Sequence, residues 1–276
     1  MTEHTAGPSF HADRIGDDEQ QEFLVEVLDA QAALPGVRRL REWTRAALRI
    51  AAGGRALDIG SGTGSEVLAM ARLAGPGGAA VGVDPNPGML AEARARAAAA
   101  GIAAAGIAAE FVEGSGYALP FPDDSFDAVR CERVFQHLDH PERACAEIAR
   151  VLRPGGRVAL IDSDWSTAII HPGDPDVVAA LLESWLSHTA NRHSGRRLPG
   201  LLSAAGLTVD DIGADAVVWD RSFIDTMLTA GLDQAVRAGA VTPDQRDRFL
   251  TDLIRGAETG DYHCSVTMFA VVARLP

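Results

Sequence analysis

Apolar residues along this chain fall into two alternating rhythms. Short runs such as Leu57-Asp58-Ile59 and Ala80-Val81-Gly82-Val83 read as buried strands. Between them, apolar residues three and four apart read as helices. From Gln20 to Ala30, Phe23/Val27 and Leu24/Leu28 pair at four-residue spacing. Pro35-Gly36 breaks that helix. A second, from Val37 to Ile50, carries Val37, Leu40, Thr44, Ala47 and Leu48 on one face, and Gly53-Gly54 end it. Alanine-rich Ala91 to Ala109 reads as a helix with an expanded exit loop. A further helix is entered through Asp139-His140-Pro141-Glu142, with Asp139 as its cap and Ala144, Ile148, Val151 and Leu152 as its buried stripe. Such alternation predicts a parallel sheet covered by helices on both faces. Val209–Trp219 and Tyr262–Arg274 then close the sheet as an antiparallel hairpin. Two stretches, 165–197 and 221–260, interrupt the alternation at points above the carboxyl ends of the strands, where such sheets bind ligands. Residues 1 to about 16 lack periodicity and read as mobile.

The strand at Leu57 ends in Gly60-Ser61-Gly62-Thr63-Gly64, and Ser65-Glu66-Val67-Leu68 opens a helix. Glycines at alternate positions remove the Cβ atoms that would hold a ligand off the backbone. A dinucleotide fingerprint would place its third glycine at Ser65, which disfavours a nicotinamide cofactor. Asp84 closes the next strand about 20 residues on, the place where an acid accepts hydrogen bonds from ribose hydroxyls. With Asp58 ahead of the loop, this stretch resembles the first motif of class I S-adenosylmethionine-dependent methyltransferases. Gly114-Ser115-Gly116-Tyr117-Ala118-Leu119-Pro120-Phe121 resembles the UbiE-like small-molecule branch, most of which carries Gly-Asp-Ala where this chain has Gly114-Ser115-Gly116. Arg150-Val151-Leu152-Arg153-Pro154-Gly155-Gly156-Arg157-Val158 matches that branch's helix–turn–strand.

The resemblance implies a Rossmann-like, doubly wound α/β fold: seven strands, the last antiparallel, an N-terminal helical cap and helical insertions. It divides the chain into a cap (1–50), a cofactor-binding core (51–164) and the remainder of the core with its pocket insertions (165–276). The implied cofactor is S-adenosyl-L-methionine, leaving as S-adenosyl-L-homocysteine. Asp58, Gly60, Ser61, Gly62, Gly64, Asp84, Pro85, Gly114, Ser115 and Gly116 would line its site, with Met89 against the adenine. The Arg130-Cys131 main chain would meet the amino group, and Arg38, Arg41 or Arg45 the carboxylate. For catalysis the expectation is His137 as base, with Asp162, Asp164 and Trp165 after the fifth strand. His137, Trp165, Asn191, Arg196, Arg197 and Tyr262 are the expected acceptor contacts, with His188 and His193 in the same donor-rich stretch.

Composition narrows the chemistry. A net charge of −13 over 276 residues argues against nucleic acid or an anionic membrane as partner. All 25 basic residues are arginine, which removes Walker loops, pyridoxal Schiff bases and lysine nucleophiles. Cys131, Cys145 and Cys264 suggest neither a disulfide framework nor zinc spacing, so no metal is expected. The polar start reads as no signal peptide and no stretch is long enough to span a bilayer, so the cytoplasm is expected. The predicted activity is O- or C-methylation of a small biosynthetic intermediate, by a monomer or homodimer. Two readings stay open beside it: the same fold using S-adenosylmethionine structurally while catalysing a cyclisation or rearrangement, and a sensor without chemistry.

Overall fold

A computed structural model describes residues 18–187 and 189–276. The expected mobile start and His188 lie outside the described residues. Two helices lead, α1 (Asp18–Ala33) and α2 (Pro35–Leu48), split at Leu34, whose extended backbone precedes Pro35. Strands and helices then alternate: β1 (Arg55–Ile59), α3 (Ser65–Ala74), β2 (Ala79–Asp84), α4 (Pro87–Ala99), β3 (Ala108–Glu113), β4 (Phe126–Glu132), α5 (Pro141–Val151) and β5 (Leu152–His171). The remainder is α6 (Pro175–Leu186), α7 (Ser194–Ala204), β6 (Thr208–Trp219), α8 (Thr229–Arg237), α9 (Pro243–Thr259) and β7 (His263–Arg274). The seven strands form one sheet in the order β3-β2-β1-β4-β5-β7-β6, with β7 antiparallel to both its neighbours. Among the described residues no helix is long and apolar enough to cross a membrane.

Side-chain alternation assigns each strand residue to a face. Leu57, Ile59, Val129, Cys131, Val158 and Leu160 pack with Ile148 of α5 and Leu198 of α7. Ala56, Ala128 and Ala159 point the other way, against Leu48 of α2, Met70 of α3 and Leu90 of α4. A third core belongs to the insertions, where Leu181, Phe223, Leu228, Leu232, Phe249 and Leu253 pack together. A short π-helical turn, Ile224–Leu228, leads into α8 there.

Several boundaries differ from the sequence reading. Strand β5 does not stop near Asp164: beyond a bulge it resumes pairing with β7 at Ile169↔Ser265 and runs to His171. Helix α7 starts at Ser194, ahead of Leu198. The 91–109 stretch is split, because α4 begins already at Pro87 and ends at Ala99, while Ala108 and Ala109 pair with Ala79 and Ala80 as β3. Asp139 is not the cap of α5: His140 occupies that position, without a side-chain bond.

Candidate active site

The glycine-rich loop leaves β1 with positive φ at Gly60 (70°), Gly62 (49°) and Gly64 (78°), a conformation that favours glycine at all three. The space requirement is more specific than the sequence implies. A Cβ on Gly60 would lie 2.3 Å from Val134, and one on Gly64 would lie 2.7 Å from Phe111, so protein packing alone excludes side chains there. At Gly62 a Cβ would meet only Leu28 of α1, at 3.5 Å. Helix α1 therefore lies across the loop.

Asp84, at the end of β2, organises the loop. Its two oxygens accept from the backbone N–H groups of Gly62 and Asn86, each at 2.9 Å. Burial pushes its carboxyl above the ordinary value, against the opposing effect of those two bonds. Asn86 caps α4 through its amide oxygen, which accepts from Gly88 and Met89. Its amide nitrogen is buried without a partner, and so is the Ser61 hydroxyl. A carboxylate flanked by orphaned buried polar atoms fits a nucleoside, whose hydroxyls and ring nitrogens would pair with them. Met89 is buried in the first turn of α4, Pro85 is exposed, and Gly114 follows β3 with its N–H on the Asp84 carbonyl. Ser115 is exposed, and its hydroxyl accepts from Tyr117 within its own turn. Asn86 escaped the sequence reading, although its place between two prolines at a helix start was a usable capping signal.

Asp58 and Arg130 require correction. Asp58 is not at the mouth of the loop. It points to the α2–α3 face, where Arg130 donates to it at 3.1 Å, and burial pushes its carboxyl up to about 7. Both main-chain neighbours of the Arg130-Cys131 step are strands: Asp58 and Ile59 on one side, Ala159 and Leu160 on the other. That segment lies inside the sheet, and the free end of β4 starts only beyond Glu132. The Cys131 thiol is buried and pushed well above its ordinary value by that burial, so it stays protonated. Of the three cap arginines, Arg38 is exposed while Arg41 and Arg45 turn inward onto Glu132 and Glu66.

His137 is half-buried in a short 3-10 turn, Phe135–His137, directly after β4. The residues expected to surround it are present, yet most of them hold the turn. Asp162 is fully buried and accepts from the N–H of Gln136 and of Ser163, both at 2.8 Å, and from the Ser194 hydroxyl at 3.0 Å. Burial pushes its carboxyl up to about 7. Asn191 donates to the carbonyls of Phe135 (3.1 Å) and Leu138, while its own N–H bonds Gln136. Trp165 donates its indole N–H to the Gln136 side chain at 3.0 Å. Asp162 and Asn191 are thus internal ties, corrected from base and acceptor contact, and Gln136 and Ser194 are their unforeseen partners.

The remaining expected contacts are also engaged. Asp164 is buried, and although burial opposes its ionisation, bonds from Ser166 and from the Arg196 guanidinium hold its carboxyl below the usual range. His193 Nδ1 lies 3.6 Å from the same carboxylate. Arg197 donates to Asn191 at 2.9 Å. The Tyr262 hydroxyl donates to the Asp220 carbonyl at 3.3 Å, at the base of the insertion. Above the turn runs a row of rings: Trp165 to Trp185 at 5.1 Å, Trp185 to Phe223 at 6.1 Å and Phe223 to Trp219 at 4.4 Å.

The strand order is that of the class I methyltransferases, with the glycine-rich loop on β1 and β2 fitted to a nucleoside and the histidine turn following β4. Residues 57–160 match the family model described as a methyltransferase domain. The chain belongs to the class I S-adenosylmethionine-dependent methyltransferases, and S-adenosylmethionine is its cofactor. Over 91% of its length it is 31% identical to a 37.1 kDa protein in transposon TN4556 of Streptomyces fradiae, 71% of which is covered. Over 44% of its length it is 41% identical to the demethylmenaquinone methyltransferase of Thermus thermophilus, and it spans about half of that relative (53%). The YcgJ protein of Bacillus subtilis shares the fold, with a TM-score of 0.59 at 23% identity over 87% of this chain and 99% of that one.

Proposed function

We propose that this methyltransferase acts on oxygen or ring carbon of a small, flat biosynthetic intermediate. The observation that carries this reading is the row of aromatic rings beginning at Trp165, whose indole is bonded to the turn that presents His137. A flat acceptor would lie against the half-buried face of Trp165 or Trp185, at the open edge of that row, at little cost in ordering. The relative that acts on demethylmenaquinone, a ring substrate, is consistent with it. In this arrangement the described part of the N-terminal cap, 18–50, covers the cofactor, 51–164 hold it, and 165–276 complete the sheet and roof the acceptor pocket.

S-Adenosylmethionine supplies a methyl group on a sulfonium, whose departure needs no proton. The protein's share is therefore alignment, with reacting atoms at roughly 3–3.5 Å and water excluded. Asp84 holds the ribose and Met89 covers the adenine. His137 accepts the proton of a phenolic or enolic acceptor. Trp165, Asn191 and Arg197 act through the turn, and Asp162 fixes it from below.

The test is incubation with methyl-labelled S-adenosylmethionine and a panel of phenols, quinols and amines, read by mass spectrometry. Labelled ring or oxygen products with stoichiometric S-adenosylhomocysteine are the expected result. Acceptor conversion without S-adenosylhomocysteine would establish the cyclisation or rearrangement reading in its place.

A further inference from the structure

Beneath the glycine-rich loop, on the α2–α3 face, buried charges alternate in sign. Arg130 meets Asp58 at 3.1 Å, lies 3.4 Å from Glu66, and touches Glu132. Glu66 pairs with Arg45 at 2.6 Å and lies 3.6 Å from Arg41. Glu132 pairs with Arg41 at 2.8 Å and Arg133 at 3.0 Å. The connected set holds four guanidinium groups (Arg41, Arg45, Arg130, Arg133) and three carboxylates (Asp58, Glu66, Glu132). Within this set guanidinium groups outnumber carboxylates by one, and Arg133 is attracted in addition by the buried Asp162.

The surplus can be located. Arg133 is the first residue beyond β4 and adopts φ 56°, a left-handed backbone that a long side chain takes only where its surroundings impose it. The next residue, Val134, packs on Gly60, so Arg133 stands beside the mouth of the loop. Its guanidinium touches Gln31 of α1 on one side and Glu132 on the other. Glu132 is already shared with Arg41 and Arg130, and burial pulls Arg133 below its ordinary value despite that carboxylate.

We propose that Arg133 binds the α-carboxylate at the amino-acid end of S-adenosylmethionine, with Arg130 as a positioning residue acting on it through Glu132. The proposal rests on the cofactor assignment and refines it: the methionyl carboxylate would give Arg133 a bonded counter-ion that it does not share with Arg41 and Arg130. An Arg can take a carboxylate through two parallel bonds, which a lysine cannot reproduce.

Two ligands separate the possibilities by calorimetry. S-Adenosylhomocysteine carries the carboxylate; 5′-methylthioadenosine keeps the nucleoside and thioether but lacks the amino acid. Arg133→Gln is expected to weaken S-adenosylhomocysteine about 10- to 100-fold, the range for a bond to a charged group, and to leave methylthioadenosine unchanged. Arg133→Lys recovers part of the loss, and Arg130→Met gives a smaller loss with the same selectivity. Arg39→Gln, which removes an exposed charge paired with Asp215, changes neither ligand. Equal losses on both ligands, or an Arg133→Gln protein that keeps its S-adenosylhomocysteine affinity, overturn the proposal. If Arg133→Gln does not fold, the decision passes to Arg133→Lys: no preferential loss of S-adenosylhomocysteine there overturns it equally. A wild-type protein that binds neither ligand refutes the cofactor assignment instead.

Discussion

Asp162→Asn tests the buckle under the His137 turn. Gln136 donates its N–H to one oxygen of Asp162 and Ser163 donates to the other, each at 2.8 Å. An amide has one oxygen, so in either orientation one backbone N–H faces an NH2 group. An orphaned buried donor costs about 1–3 kcal/mol. The wild-type acid carries a different liability, because burial raises its value from 3.8 to about 7. The folded state therefore holds a proton that the unfolded state has released, and stability falls as pH rises between those two values. The slope is at most about 1.4 kcal/mol per pH unit and vanishes on either side of the window. Asp58 contributes with the same sign, but equally to both proteins, and so cancels in the difference. Urea unfolding at pH 5, 6, 7 and 8 should show the variant clearly weaker at pH 5, with the gap closing toward pH 8. Parallel pH curves for the two proteins would refute the argument.

Asp84→Ala should weaken S-adenosylhomocysteine binding by about 1.5–3 kcal/mol in a calorimeter, since it removes a charged hydrogen-bond acceptor; unchanged affinity would end its ribose role. His137→Ala should lower turnover about 100-fold or more at unchanged cofactor affinity, and full activity would reduce the histidine to a turn residue. Gly60→Ala should cost about 2 kcal/mol or more of thermal stability, from a Cβ 2.3 Å from Val134 at φ 70°. Adding Val134→Ala relieves the clash but not the backbone strain, so the double variant should recover only part of the loss.

The parallel core was legible because apolar strands and their glycine and proline stops are local signals. Where tertiary pairing decides, the reading failed. Thr167, Ile169 and Ile170 favour a strand but are too few to announce one; the strand reaches His171 because His263 lies opposite it. The site follows the same division. Asp84 was placed by its position relative to the loop, and Asp162 and Asp164 by theirs after a strand. What each carboxylate touches depends on partners about 30 residues away, Gln136, Ser194 and Arg196, which no spacing rule supplies. The sequence reading used only the main chain of Arg130, because its side-chain partners Asp58 and Glu66 come from elements far off in the chain.

The length of β5 has one more consequence. A single strand, bulged after Asp164, belongs at its start to the central sheet and at its end to the helical insertion, with β7 laced along both parts. Over the proposed acceptor position the roof is accordingly built in, not hinged on. An enzyme with a fixed ceiling selects molecules by outline, so altering its choice of acceptor calls for resizing Trp185, Trp219 or Phe223 and not for exchanging surface loops.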